Sequence, residues 1–127
     1  MIGGKVLDAS ALAALVRGRL SAVAWFATAK STGLTLYLPS LALNEVRAVR
    51  PDAAPQLAEV LGHPSLVLGE LDATAASHVD QLLLAADVFD GCAGHVVHVA
   101  WTRDWPALTA DPGRLRRVNP DVQLDLL

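Results

Sequence analysis

Short apolar runs that stop at an acid or a turn residue alternate with longer segments of helical periodicity along nearly the whole chain, and this alternation restricts the fold more than any other feature. Strands are expected at 5–8 (KVLD), 34–38 (LTLYL), 66–68 (LVL) and 107–109 (ALT), with 122–127 adding an edge strand. Helical patterns run from Ser10 to a stop at Gly18, and over 21–31 with Gly33 as a left-handed cap. Others run from Ser40, as N-cap, to Arg50, from Pro51-Asp52 to Leu61, over 72–86 and over 92–103. Gly62 and Pro64 separate a helix from the third strand, and Asp111-Pro112-Gly113 reads as a turn. The buried sides of these helices are assigned to Leu12, Leu15 and Val16, then Val23, Trp25 and Phe26, then Leu41, Val46 and Val49, then Val79, Leu82 and Leu83. Strands joined through helices in this way imply an α/β protein, a parallel sheet covered by helices on both faces.

Composition limits what such a sheet can do. A chain of 127 residues can bury one core, so 1–127 is expected to be a single domain. With 53% apolar and 18% charged residues it is too hydrophobic to be disordered. The richest apolar stretch, 34–43, is broken by Pro39 and closed by Asn44, well short of the ~18 to 20 residues that a spanning helix requires. The first residues carry no pattern of an export signal, and a cytoplasmic protein is expected. Cys92 is alone, which rules out an intramolecular disulfide, and four scattered histidines offer no zinc spacing, so any metal would be held by oxygen. A formal charge of −3 supplies no basic field for phosphates.

Functional groups of an open parallel sheet collect just beyond the carboxyl ends of its strands. Asp8 closes the first expected strand, Asp111 follows Thr109 by two residues, and Glu45 lies on the helix after the second strand. Carboxylates gathered at one place raise one another's pKa, and a cluster of them wants a cation; hard oxygen donors favour Mg²⁺ or Mn²⁺. Each acid also has a plainer role. Asp8 suits a helix cap, Asp111 suits a turn, and Glu45 suits a solvated helix face, although Leu41, Leu43, Val46 and Val49 leave it little exposed surface. His95 and His98 lie one helical turn apart without a third ligand, and Cys92 reads as a small buried group. Arg114, Arg116 and Arg117 form the only basic cluster, with Arg47 and Arg50 one turn apart elsewhere; these suit phosphate contacts or plain solvation. Trp25, Trp101 and Trp105 are expected in the core or an interface.

The stretches "VLDASAL", "LPSLALNEV" and "HVVHVAWTRDWPALTADPGRL", in that order and at those separations, resemble the PIN-domain ribonucleases, in particular the VapC-type bacterial toxins. The likeness covers nearly the whole chain. It implies an α/β/α sandwich around a parallel sheet, Mg²⁺- or Mn²⁺-dependent endonucleolytic cleavage of single-stranded RNA, and a toxin's place in a toxin–antitoxin pair. It further implies a homodimer and a small antitoxin that lays a segment across the acidic site. Carried over residue by residue, Asp8 matches the first metal-binding acid, Ser10 the neighbouring hydroxyl, Glu45 the helical acid and Asp111 the acid after Thr109. Ser10 and Thr109 would orient water or ligand around the metal. The family's remaining acid is expected at position 93, where this chain has Ala93; Asp90, one turn earlier, is expected to substitute for it, with Asp87 in reserve. The same departure supports an alternative, a degenerate PIN domain that binds RNA or a protein without cutting.

Overall fold

The structure, a computed structural model, describes residues 3–127. Its centre is a wholly parallel sheet of five strands: β1 (Gly4–Leu7), β2 (Thr35–Pro39), β3 (Leu66–Gly69), β4 (Ala107–Thr109) and β5 (Leu124–Leu126). Their spatial order is β3-β2-β1-β4-β5. The chain therefore builds outward from β1 through β2 to β3, then crosses back to lay β4 and β5 on the other side. Val6 of β1 stands between Tyr37 of β2 and Ala107 of β4, and Leu7 pairs with Leu108. Strand order reverses between β1 and β4, and adjoining crossovers leave opposite faces there, so a crevice opens beyond the carboxyl ends of these two strands.

Helices flank both faces of the sheet: α1 (Ala9–Val16), α2 (Leu20–Thr32), α3 (Ser40–Val49), α4 (Ala54–Leu61), α5 (Ala73–Ala86), α6 (Gly91–Arg103) and α7 (Pro112–Arg116), with a 3₁₀ turn at Pro51–Ala53. Their ends follow local chemistry. Gly33 takes a left-handed φ of 76° to close α2, and the Asp72 carboxylate starts α5 by accepting from the Ala75 amide at 2.8 Å. Two expectations for α3 need correcting. Ser40 is its first helical residue and is buried, because Pro39 ends β2 directly at the cap position and no side chain caps the helix. Val49 is 70% exposed, and on α2 Val23 is likewise outside, so α2 turns Ala22, Phe26 and Ala29 inward instead. The expected turn at Asp111-Pro112-Gly113 is the start of α7, where proline's fixed φ suits the first helical position.

Val6, Leu7, Leu36, Leu38 and Leu108 are fully or almost fully buried within the sheet, against Leu12 of α1, Val96 and Val97 of α6 and Leu115 of α7. Gly94 sets the approach of α5 to α6: a Cβ there would lie 2.8 Å from Val79 Cγ1 and 3.0 Å from Leu83 Cδ2. No single helix among the described residues is long and apolar enough to cross a membrane.

Candidate active site

The crevice is built first around Asp8. As β1 ends, Asp8 takes an extended conformation and becomes the N-cap of α1, its Oδ1 accepting from the Ala11 amide at 2.8 Å. Ser10 Oγ donates to the same oxygen at 2.7 Å, and Thr109 Oγ1, from the end of β4, donates to Oδ2 at 2.5 Å. Both hydroxyls also accept, Ser10 Oγ from the Ala110 amide at 2.9 Å and Thr109 Oγ1 from the Asp111 amide at 2.9 Å. Each hydroxyl has one proton, and Asp8 takes both. The carboxylate is thus clasped between β1 and β4 at the point of strand reversal. It is only 4% exposed and has no ion-pair partner among the described residues. Burial pushes its pKa above the ordinary carboxylate range, opposed by the bonds from Ser10, Thr109 and Ala11 and by the more distant Arg114.

Beside it lies a second cluster. Glu45 on α3 and Asp90, the residue before α6, face one another across the Arg114 guanidinium from α7. Arg114 Nη1 and Nη2 donate to the two Glu45 oxygens at 2.7 and 2.6 Å; Nε and Nη2 donate to the two Asp90 oxygens at 2.8 and 2.9 Å. Arg114 therefore ties α3, α6 and α7 together in a planar, doubly bidentate bridge. Its hydrogen bonds hold both carboxyls below their usual range, and theirs push the guanidinium up. Asp90 also caps α6, its Oδ1 accepting from the Ala93 amide at 3.1 Å. Cys92 sits in the same electrostatic neighbourhood, its thiol pushed up to about 12 by burial first and by Glu45 next.

The sequence-expected acids are therefore brought together unevenly. Asp90 and Glu45 share the Arg114 guanidinium, while Ala93 itself is buried. Asp87, the reserve, ends α5 in a left-handed conformation (φ 55°) and takes no part in the bridge. Asp111 stands exposed before α7 with no side-chain hydrogen bond or ion pair among the described residues. No three His, Cys, Asp or Glu side chains among the described residues lie close enough to hold one ion as they stand. The donor chemistry around Asp8 nevertheless suits a hard divalent cation: carboxylate and hydroxyl oxygens meet at the ends of β1 and β4, and Asp8 is buried without a counter-charge at contact distance among the described residues.

Two features escaped the sequence reading. Arg114, read there as a phosphate contact or a solvated side chain, is the hub of the acid cluster; its position three residues after Asp111 was the available signal. His98 pairs not with His95 but with His78 of α5, their Nδ1 atoms 2.5 Å apart, whereas His95 is buried with its Nδ1 unpartnered. Phe89, next to Asp90, is wholly exposed.

No family model matches the sequence, and no curated protein matches it significantly. Solved structures do match its fold. A chain from VapBC2 of Rickettsia felis bound to a DNA fragment from its promoter aligns with a TM-score of 0.78 at 13% identity, covering 100% of this chain and 99% of its own. A chain from DNA-bound VapBC of Salmonella typhimurium aligns at 0.73 and 18% identity, over 99% and 98% of the two chains. One from FitAB bound to the IR36 DNA fragment aligns at 0.65 and 18% identity, over 99% and 94%. At such identities the likeness establishes the fold: this is the α/β/α sandwich of the VapBC and FitAB structures, as the sequence resemblance anticipates.

Proposed function

We propose that the chain is a Mg²⁺- or Mn²⁺-dependent endoribonuclease, the toxin of a toxin–antitoxin pair, acting on single-stranded RNA. The observation that carries this is Asp8: a buried carboxylate, clasped by Ser10 and Thr109, without a contacting counter-charge among the described residues, at the switch point of the sheet. Asp8, Glu45 and Asp90 are the residues that would hold the metal, with Asp111 at the rim. A bound Mg²⁺ or Mn²⁺ supplies a water of lowered pKa and positive charge against the phosphodiester. Ser10 and Thr109 hold the Asp8 carboxylate in one orientation, and Asp90 is fixed by its bond from the Ala93 amide. The fold shared with VapBC and FitAB chains supports a small antitoxin protein as partner; a homodimer and a cytoplasmic location belong to the same proposal.

Incubating purified protein and Asp8→Asn with single-stranded RNA and Mn²⁺ tests the reading. The parent is expected to cleave and the variant to fall to background; equal rates would refute it. A second reading, an RNA- or protein-binding domain that does not cut, is favoured by Ala93 in place of an acid and by the occupation of Glu45 and Asp90 by Arg114. It predicts binding without any Asp8-dependent cleavage.

A further inference from the structure

We propose that Arg114 is a built-in counter-cation: its guanidinium holds Glu45 and Asp90 together in the metal-free protein, and a divalent ion gains those acids only by displacing it. This rests on the reading of the crevice as a metal-dependent site. All four carboxylate oxygens of Glu45 and Asp90 accept a hydrogen bond from Arg114. An ion binding any of them at the ~2.1 Å usual for Mg²⁺ would sit against the positive guanidinium, so the two cations exclude one another. Two acids facing each other need some positive partner, and among the described residues Arg114 is the one that pairs with them. Asp8 lies apart from this arrangement. Arg114 reaches it through space but not by contact, so the Asp8 carboxylate stays outside the bridge.

The placement of Arg114 allows it to leave. Its side chain is 26% exposed, so it is not sealed in the interior. It is carried by α7, a helix of five residues, and the preceding Gly113 has open space around its Cα. Leu115, buried at 1% exposure, anchors that helix, so the side chain can swing while the backbone stays. On release it would face the same crevice that an RNA phosphate enters.

Titration calorimetry with MnCl₂ on the parent, Arg114→Gln and Arg114→Lys, with thermal unfolding of each in EDTA and in Mn²⁺, tests this. Arg114→Gln is expected to bind Mn²⁺ at least ~10-fold more tightly than the parent, because no charge-assisted bridge has to be broken. It is also expected to unfold at lower temperature in EDTA and to regain the difference in Mn²⁺, while the parent responds little. Arg114→Lys, which keeps the charge but not the fork, should fall between them. Unchanged or weaker Mn²⁺ affinity in Arg114→Gln, or an Arg114→Gln protein whose melting temperature ignores Mn²⁺, would overturn the proposal. The two readings fail separately: tighter Mn²⁺ binding without RNA cleavage sinks the nuclease and keeps the counter-cation, and Asp8-dependent cleavage with unchanged affinity does the reverse.

Discussion

Asp8 combines two demands that compete for one side chain. As an N-cap it lowers the energy of α1, yet as an anion it is almost wholly removed from water and faces no contacting positive group. Because its folded pKa lies above the unfolded value, the folded state favours the protonated acid. Its contribution to stability is present below the unfolded pKa and is lost as pH rises through the folded one. Asp8→Asn removes that charge while keeping an acceptor for the Ala11 amide. In EDTA at pH 7 the variant is expected to be more stable by on the order of 1 kcal/mol, ~4 °C in melting temperature, while losing its cleavage of RNA. A melting temperature at or below that of the parent would show that the hydroxyl bond lost at the second oxygen, not the buried charge, dominates. Asp8 was legible in the sequence because an acid directly ending an apolar strand is unusual and its context is local. Arg114 was not, because its partners stand 69 and 24 residues away and only the folded crevice brings them to it.

At the scale of elements, α5 and α6 form a close pair whose interface is partly imidazole. Gly94 lets them approach, His78 and His98 meet edge to face, and His95 lies beneath with its pKa lowered to about 4, by burial first and by His98 next. A depressed histidine stabilises the fold above its unfolded pKa and loses that contribution as pH falls toward its folded one. The window for His95 is therefore pH 6.5 down to about 4. Between pH 7 and pH 5, above most carboxylate titration, this group should cost the protein ~2 kcal/mol, and His98 adds a loss of the same sign. Urea unfolding at the two pH values is the measurement. His95→Leu should show a clearly shallower loss than the parent, and an equal loss in both would remove His95 as the cause. The helix itself was readable from periodicity, but its pairing was not: residues 78 and 98 share no local pattern, and a spacing of three drew attention to His95 instead.

For the whole molecule, the sheet was the most legible feature. Short apolar runs separated by helices leave little choice but parallel pairing, and the strand at 107–109 is found at its expected bounds. What the runs could not reveal was their order, since parallel neighbours are chosen by crossover packing and not by strand composition. That order, with β1 in the middle, carries Asp8 to Thr109 across 101 residues and so creates the crevice. The molecule carries a net negative formal charge, and the arginine in its crevice is committed to acids. RNA held there through a divalent ion should therefore release few counterions. Fluorescence anisotropy with a single-stranded RNA in Mn²⁺ and varied KCl is expected to give a log–log slope no steeper than about −2, that is, no more than about three phosphates neutralised by side chains. A slope near −5 would mean that a basic surface elsewhere carries the binding.

Phe89 projects fully into solvent one residue before Asp90, where α5 has ended and α6 has not begun. A partner that comes down beside Asp90 and covers this bare ring will change its surroundings. Phe89→Trp would thus place an optical reporter next to an acid of the crevice, reading such contact in real time without a label on the visitor.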